Sequence, residues 1–222
     1  MKSFRKLIVL AMVALGVLIG VQSPSYALTL FLSDGNSFIY AYDQGLNDSN
    51  AALGAVTFSG SLGAWSVNVT TAITYPVLGS TSSPILELNS VNVSSTGPGY
   101  IHIWASATDY NVGGPGAGNF QIGGTTTGTV NVGSYFDSSN ALWGTGGLIG
   151  TLAFTSSPFS GSTSGLVSAT GPFSLTTIAT ITHQSAGSTS FDATTTVPEP
   201  STMLLLGFGL LGLWGFGRKF KK

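Results

Sequence analysis

The sequence predicts an all-β protein, built as a single β-sandwich or jelly-roll-like domain. The segment between the two ends of the chain is rich in Gly, Ser, Thr, Val and aromatic residues and poor in Glu, Lys, Gln and Arg. Such a composition favours strands and turns over helices. Apolar and polar residues also alternate with a period of two in several segments, which turn-forming residues separate. About nine or ten strands are expected, a number typical of a sandwich or jelly roll.

The first elements predict a hairpin. Residues 28–33 alternate, Asp34-Gly35-Asn36 provides a turn, and the alternation resumes from Phe38 to Tyr42. A strand over residues 54–59 follows. The clearest alternation runs from Ala64 to Tyr75, and it places one set of side chains on a single face of its strand: Trp65, Val67, Val69, Thr71, Ile73 and Tyr75.

The middle of the chain predicts a central strand and a long loop. Residues 100–108 are apolar on both faces around Ile103 and Trp104, as expected for a strand with neighbours on both sides. Residues 111–128 are rich in glycine, which predicts a flexible loop with one short apolar piece at 120–122. The remaining predicted strands cover residues 85–93, 129–136, 148–154 and 173–182.

Both ends of the chain predict targeting segments. Three cations precede an apolar run over residues 7–21, and Ser25-Tyr26-Ala27 forms a small-x-small site. This pattern predicts a signal peptide over residues 1–27, cut after Ala27 by signal peptidase, and an uncleaved anchor is the alternative. The exported all-β domain is then expected over residues 28–183, followed by a polar linker over residues 184–196.

The tail, residues 197–222, has three parts. Val197-Pro198-Glu199-Pro200 predicts an extended, accessible segment because proline fixes φ and removes backbone donors. The apolar run over residues 202–217 predicts a helix of roughly 24 Å, a little short for a bilayer core. A basic cluster follows and predicts a cytoplasmic stop for a membrane helix; its members are Arg218, Lys219, Lys221 and Lys222.

These three elements, in this order, resemble the PEP-CTERM sorting signal of exported proteins in Gram-negative bacteria that make exopolysaccharide. The resemblance covers residues 197–222 only. It implies that exosortase, a membrane protease, processes the chain at or near Pro198-Glu199-Pro200. It also implies that the precursor is held transiently in the inner membrane, and that the product reaches the cell surface or the extracellular matrix.

The charge pattern narrows the function of the exported segment. All seven cations lie in the two ends, whereas residues 28–197 hold seven carboxylates and neither Lys nor Arg. A body without cations cannot neutralise phosphates, so nucleic-acid binding is excluded. The chain also has no cysteine, which excludes disulfides and thiolate metal sites.

The residues that carry catalysis are sparse, so we expect no enzyme activity and no cofactor. His102 and His183 are far apart in sequence and have no spacing typical of zinc ligands. Glu87, the one glutamate of residues 28–197, lies within a predicted strand between two leucines. A secreted hydrolase therefore stays a remote alternative.

Two features support binding as a function. Asp43 and Asp48 lie in an oxygen-rich turn, and Asp137 lies in a second one, which makes both turns calcium candidates, although turns favour Asp and Asn in any case. A wider set of aromatic residues can form a sugar-stacking surface: Tyr40, Tyr42, Trp65, Tyr75, Tyr100, Trp104, Tyr110, Tyr135 and Trp143. Trp65 and Trp104 lie at strand positions and are expected in the core, whereas Tyr110 and Trp143 are expected to be exposed because they lie in loop-like sequence.

The sequence therefore predicts a non-catalytic structural or exopolysaccharide-associated protein of the cell surface. The alternative is a carbohydrate-binding module or adhesin, assisted by calcium or not, with Asp109 near Tyr110 as a further contact. An ice-binding role ranks last because residues 125–127 and 194–196 are runs of threonine rather than a repeat.

Overall fold

The computed structural model describes residues 28–199, apart from the side chain of Val69. All helices and strands assigned within these residues are β-strands, which confirms the all-β prediction. The expected signal peptide, residues 1–27, and the apolar run of the tail lie outside the described residues. Within residues 28–199, no helix is long and apolar enough to cross a membrane. The strands are β1 (Leu28–Ser33), β2 (Phe38–Tyr42), β3 (Ala55–Leu62), β4 (Trp65–Ile73), β5 (Ile85–Ser95), β6 (Gly99–Tyr110), β7 (Gly116–Thr126), β8 (Thr129–Asp137), β9 (Gly147–Phe154), β10 (Phe159–Val167), β11 (Phe173–His183) and β12 (Gly187–Thr196).

The strands form two antiparallel six-stranded sheets. Sheet A has the order β2-β1-β6-β11-β8-β9, and sheet B has the order β10-β7-β12-β5-β4-β3. The last eight strands pair in a nested way, β5 with β12, β6 with β11, β7 with β10 and β8 with β9. This nesting, spread over two sheets, is the pairing of a jelly roll. The first four strands widen both sheets, β1 and β2 beside β6 and β3 and β4 beside β5.

A single apolar core lies between the sheets, as expected for a β-sandwich. Leu28, Leu30 and Leu32 of β1 are fully buried there, and so are Ile101 and Ile103 of β6. Their alternation with outward-facing residues is the period-two pattern of the sequence. Full burial of each such side chain contributes about 1.5–3 kcal/mol to stability. The β-sandwich prediction is therefore confirmed.

The expected polar linker over residues 184–196 is wrong. Residues 187–196 form β12, which pairs with β5 on one side and with β7 on the other. The strand reads as polar because its buried face carries threonines. Both side-chain hydroxyls are nevertheless hydrogen-bonded: Thr189 Oγ1 lies 2.7 Å from Thr126 Oγ1, and Thr195 Oγ1 lies 2.6 Å from Ser134 Oγ of the opposite sheet. Threonine is also β-branched and suits a strand.

The expected flexible loop over residues 111–128 is also wrong. Its residues 116–126 form β7, which lies between β10 and β12. Glycines fill β7 where neighbours approach closely; at Gly118, a Cβ would lie 2.9 Å from Val167 and 3.1 Å from Ile149. Strand β10 is likewise rich in small residues, and neither strand shows an apolar alternation strong enough to predict it.

The faces of β4 also differ from the prediction. Trp65 and Val67 point into the core, but Thr70 and Ala72 are also buried further along, although the alternation placed them on the face opposite Trp65 and Val67. The register of β4 against β5 shifts on both sides of Val69. A β-bulge adds one residue and so moves the following side chains to the other face.

Hydroxyl groups make the polar links between the sheets. The side chain of His183, on β11 of sheet A, is 1% exposed. Its Nδ1 lies 2.8 Å from Ser95 Oγ and its Nε2 lies 2.9 Å from Thr189 Oγ1, both on sheet B. Its ring also packs on Trp65 at 4.8 Å between centroids. Both nitrogens are therefore satisfied by neutral partners, which suits an uncharged imidazole.

We expect the free energy of unfolding to fall as the pH drops below about 6.5, the ordinary pKa of histidine. Burial lowers the pKa of His183 in the folded chain. Below this pH the unfolded chain therefore binds a proton at His183 that the folded chain does not bind. The free energy of unfolding decreases as the pH falls, until His183 of the folded chain is also protonated. Urea unfolding between neutral pH and pH near 5 measures this dependence.

The matched variant for this pH experiment is His183→Gln, which cannot titrate at this position. It retains His102, whose pKa burial also lowers, so the comparison isolates His183. The variant should show a weaker pH dependence than the natural chain. An equal slope in both proteins would contradict the assignment.

Candidate functional site

Aromatic side chains collect on the outer face of sheet A, the face that points away from the core. They come from three neighbouring strands and one loop. We call this set the aromatic face, and its members are Phe31 of β1, Phe38, Tyr40 and Tyr42 of β2, Trp104 of β6 and Trp143 of the β8–β9 loop.

The rings of the aromatic face touch one another. Phe31 lies at the centre, with ring centroids at 4.8 Å from Tyr40, 6.2 Å from Trp104 and 6.2 Å from Trp143. Phe38 is 66% exposed, and the other five rings are half-buried. These rings lie on the outer face, away from the core, and a contiguous apolar patch of this kind is a candidate interaction surface.

Strand register explains why these residues meet. Tyr40 lies opposite Phe31, and Phe31 lies opposite Trp104. Directly opposite residues of antiparallel strands share a face with Cβ atoms about 4.5–5.5 Å apart. Three residues that are distant in sequence therefore form one row across the sheet.

The β8–β9 loop places Trp143 over this row. The backbone N–H of Trp143 donates to Ser106 Oγ of β6 at 2.9 Å, and Ser174 Oγ of β11 donates to the backbone carbonyl oxygen of Ala141 at 2.6 Å. Asn140 exchanges two hydrogen bonds with Asp109, at 2.7 Å and 2.8 Å. These contacts anchor the loop and make Trp143 a fixed wall at one side of the face.

The face continues past β6 into a groove of about 330 Å³. The groove lies over β11, β8 and β9, and Tyr135, Ile178 and Asn131 are among its lining residues. The Tyr135 ring leans over Gly133, since a Cβ at Gly133 would lie 2.8 Å from that ring. Glycine at this position therefore makes room for the aromatic ring.

Polar groups follow the aromatic row on the same face. His102 of β6 lies opposite Thr180 of β11, with Nδ1 at 2.8 Å from Thr180 Oγ1. Burial lowers the pKa of His102, which favours its uncharged imidazole. Tyr100, 42% exposed, packs on His102 at 4.9 Å. The face thus offers ring surfaces with hydrogen-bonding groups beside them.

The two residues predicted as sugar contacts have opposite outcomes. Trp143 is half-buried within the aromatic face, where it can reach a ligand. Tyr110 is fully buried, and its expected exposure is wrong. Its hydroxyl bonds with Thr74 Oγ1, and burial raises its pKa. Tyr110 ends a strand rather than lying in a loop, which places its ring between the sheets.

The acidic turns use their carboxylates for backbone contacts. Asp48 accepts hydrogen bonds from the N–H groups of Gln44, Asn50 and Thr57. Asp43 is 4% exposed; its Oδ2 accepts from Gly54 N–H at 2.8 Å, and burial raises its pKa. Its Oδ1 has no partner among the described residues.

The second acidic turn is built in the same way. Asp137 accepts from Ser139 and Gly146, and the hydrogen bonds from the Ser139 side chain and backbone lower its pKa. In the described part of the chain, no three His, Cys, Asp or Glu side chains are grouped to hold a metal ion. Calcium binding at Asp43, Asp48 or Asp137 stays a prediction.

A second groove, of about 500 Å³, lies on the outer face of sheet B. Gln121, Ser160, Ser162, Asp192 and Thr194 contribute its side chains. These groups can bond water or hydroxyls, but the lining lacks a ring on which a sugar could stack. The two outer faces of the sandwich therefore differ in chemistry.

The sorting residues begin where the fold ends. Val197 follows β12 directly, is fully buried, and donates its N–H to Pro84 O at 3.0 Å. Pro198 and Glu199 are the last described residues. No polar tether lies between the described domain and the Pro-Glu-Pro segment.

Comparison with known proteins identifies the tail. The protein-family model of the PEP-CTERM protein-sorting motif matches residues 196–219. This match confirms the resemblance noted for residues 197–222, and the motif implies export, exosortase processing and sorting to the cell surface. Comparison with curated proteins finds no significant match.

Solved structures give distant likenesses to sugar-binding and adhesin domains. TmCBM61 in complex with β-1,4-galactotriose is 9% identical, with 61% of this chain and 90% of that one covered and a TM-score of 0.30. The K1 cleaved adhesin domain of Lys-gingipain from Porphyromonas gingivalis W83 is 11% identical, with 65% and 98% covered and a TM-score of 0.33. CBM36 in complex with calcium and xylotriose is 12% identical, with 41% and 76% covered and a TM-score of 0.26. Such scores carry no argument about the ligand of this chain.

Proposed function

We propose, from the premise that this chain carries a PEP-CTERM protein-sorting motif at residues 196–219, that its β-sandwich is a non-catalytic, polysaccharide-binding component of the cell surface or extracellular matrix. The aromatic face is the observation that carries this proposal. Exosortase sorting delivers the domain to a place where exopolysaccharide is the abundant partner. The domain then binds that polysaccharide through the outer face of sheet A.

The chemistry of the aromatic face suits a sugar. One side of a pyranose ring is lined with C–H groups and packs on an aromatic ring, while its hydroxyls need hydrogen-bonding partners. Phe31, Tyr40 and Trp104 offer the ring surfaces, and His102 and Thr180 lie in the next row. Apolar and polar groups therefore alternate at the spacing of neighbouring side chains.

The histidines support a binding role rather than a catalytic one. His183 lies between two hydroxyls in the core, and His102 bonds with Thr180. Glu87, half-buried on β5, accepts a hydrogen bond from Asn89 at 3.3 Å. His183 is buried, and within residues 28–199 neither histidine bonds to a carboxylate, the orienting group expected of a hydrolase triad.

We expect Trp104→Ala and Phe38→Ala to weaken polysaccharide binding, by about tenfold for each ring lost. Isothermal titration of the exported protein with purified exopolysaccharide of the producing organism measures this. Phe38 is the cleaner site, since its exposed ring contributes little to the fold. Gln121→Ala, at an exposed position on the opposite sheet, is the matched control and should bind like the natural chain.

The same titration, repeated with calcium chloride and with a chelator, separates calcium-assisted binding from binding by the aromatic face alone. Loss of binding in the chelator would assign calcium a role. No heat for the natural chain under either condition would overturn the binding proposal and leave a structural role for the domain.

A further inference from the structure

The aromatic face and the groove beside Tyr135 form one continuous surface across sheet A. We propose that this whole surface binds a single linear, uncharged polysaccharide chain, which lies across the strands and contacts several sugar units at once. This inference rests on the proposed function and deepens it, because it specifies the class and the orientation of the ligand.

Strand register carries the first step. The row that starts with Tyr40 and Phe31 does not end at Trp104, because Trp104 lies opposite Ile178 of β11, Ile178 lies opposite Gly133 of β8, and Gly133 lies opposite Thr151 of β9. Neighbouring strands are about 4.8 Å apart, so the row spans roughly 24 Å across six strands. Such a length matches a chain of several sugars and exceeds one terminal sugar.

The groove carries the second step. The Gly133 position in this row holds no side chain of its own, and the Tyr135 ring leans over it. The row therefore has aromatic surfaces at both ends, Tyr40 and Phe31 at one and Tyr135 at the other, with Ile178 between Trp104 and Tyr135. A straight ligand can pack on all of them.

Polar side chains follow this row along its length. Phe38 lies opposite Ser33, Ser33 lies opposite His102, and the register continues through Thr180 to Asn131. Asn131 is exposed, and His102 Nε2 has no partner among residues 28–199. A polysaccharide repeats its hydroxyls along the chain, and this second row supplies bonding groups at successive strands.

One side of the surface is closed. Next to the Trp104 row, on the side away from His102, a parallel row of outward-facing residues is fully buried: Thr29, Ser106 and Thr176. The backbone N–H of Trp143 donates to Ser106 Oγ in this row. The anchored β8–β9 loop therefore blocks a ligand that runs parallel to the strands past Trp104. The open direction is across the strands.

Charge decides the ligand class. Residues 28–197 contain seven carboxylates and neither Lys nor Arg, so no Lys or Arg of this segment can pair with an anionic sugar, and the net negative field repels one. Burial lowers the pKa of His102 and so favours its uncharged form. An uncharged polysaccharide fits this surface, and an anionic one does not.

The test uses oligosaccharides of three uncharged polymers, xylan, mannan and galactan, from disaccharide to hexasaccharide, with alginate as the anionic probe. Isothermal titration of the natural chain should give an affinity for at least one series that rises with length, by about tenfold between disaccharide and hexasaccharide. Tyr135→Ala should remove this gain, so that the hexasaccharide binds no more tightly than the disaccharide. Asn131→Ala, at an exposed site, reports on the polar row at the same end of the surface without disturbing the fold.

Each remaining outcome has a defined meaning. If the affinity does not depend on the length of the oligosaccharide, and Tyr135→Ala and Asn131→Ala bind like the natural chain, the extended site is wrong. If Trp104→Ala nevertheless loses binding, the proposed function of the aromatic face still holds. Binding of alginate in preference to the uncharged series overturns the ligand class. Failure of every uncharged probe overturns this inference, and the titration with the organism's own exopolysaccharide then decides the proposed function separately.

Discussion

A chain that runs from Leu28 to Ala186 should fail to fold, whereas a chain from Leu28 to Glu199 should fold. The first lacks β12, which lies inside sheet B between β5 and β7. Its loss removes both ladders of backbone hydrogen bonds and the buried side chains of Phe191 and Ala193. Loss of Phe191 alone costs about 3–5 kcal/mol, against a total stability of roughly 5–15 kcal/mol for a domain.

Near-ultraviolet circular dichroism and a thermal scan distinguish the two chains. We expect a cooperative transition for the chain that ends at Glu199 and none for the one that ends at Ala186. Retention of a cooperative transition in the shorter chain would show that residues 187–196 are a dispensable linker after all.

Gly124→Ala should lower the free energy of unfolding by roughly 3 kcal/mol, the upper end of the usual cost of overpacking. Gly124 of β7 lies opposite Phe191 of β12. A Cβ at this position would lie 2.3 Å from the Ser190 carbonyl oxygen and 2.5 Å from Phe191 Cβ. A backbone carbonyl cannot swing away as a long side chain does, so the two strands must separate.

Gly97→Ala is the matched control for this substitution. Gly97 lies in the turn between β5 and β6, where an added Cβ meets nothing within 4 Å. We expect a change within about 0.5 kcal/mol, typical of surface substitutions. Urea unfolding of both variants measures the difference. Equal midpoints for Gly124→Ala and the natural chain would contradict the close approach of β7 and β12.

The two outer faces of the sandwich suggest a division of roles. The outer face of sheet A carries the aromatic face and its groove, while the groove on sheet B is lined by hydroxyl, amide and carboxylate groups. The sorting segment begins at Val197, at the end of the central strand β12 of sheet B. The surface that we propose for polysaccharide thus lies on sheet A, whereas the sorting segment follows a strand of sheet B.

The candidate site was only partly visible in the sequence. Trp143 was predicted as an exposed aromatic, and Tyr40, Tyr42, Trp104 and Tyr135 belonged to the wider aromatic set. Phe31 and Phe38 were missed, because an aromatic residue in an alternating strand is normally assigned to the core. Tyr110 was misplaced for the converse reason, since a tyrosine next to a glycine-rich segment was expected to be exposed.

The sequence by itself determined the features that depend on local pattern. Period-two alternation located most of the strands, the order of proline, apolar and basic elements identified the sorting tail, and the confinement of every cation to the ends predicts that the exported segment does not bind nucleic acid. These signals need no knowledge of distant residues, since each is complete within its own segment.

Only the tertiary structure decided which face of each strand is buried and which strands are neighbours. Alternation separates two faces without saying which one meets the core, and the bulge at Val69 exchanges them within β4. Strand β12 was not predicted because its polar sequence resembles a linker, and its threonines can be buried only because hydroxyls on other strands, such as those of Ser134 and Thr126, bond to them. The aromatic face likewise exists because strand pairing brings β1, β2, β6 and the β8–β9 loop together, and such non-local pairing is what a sequence read segment by segment does not contain.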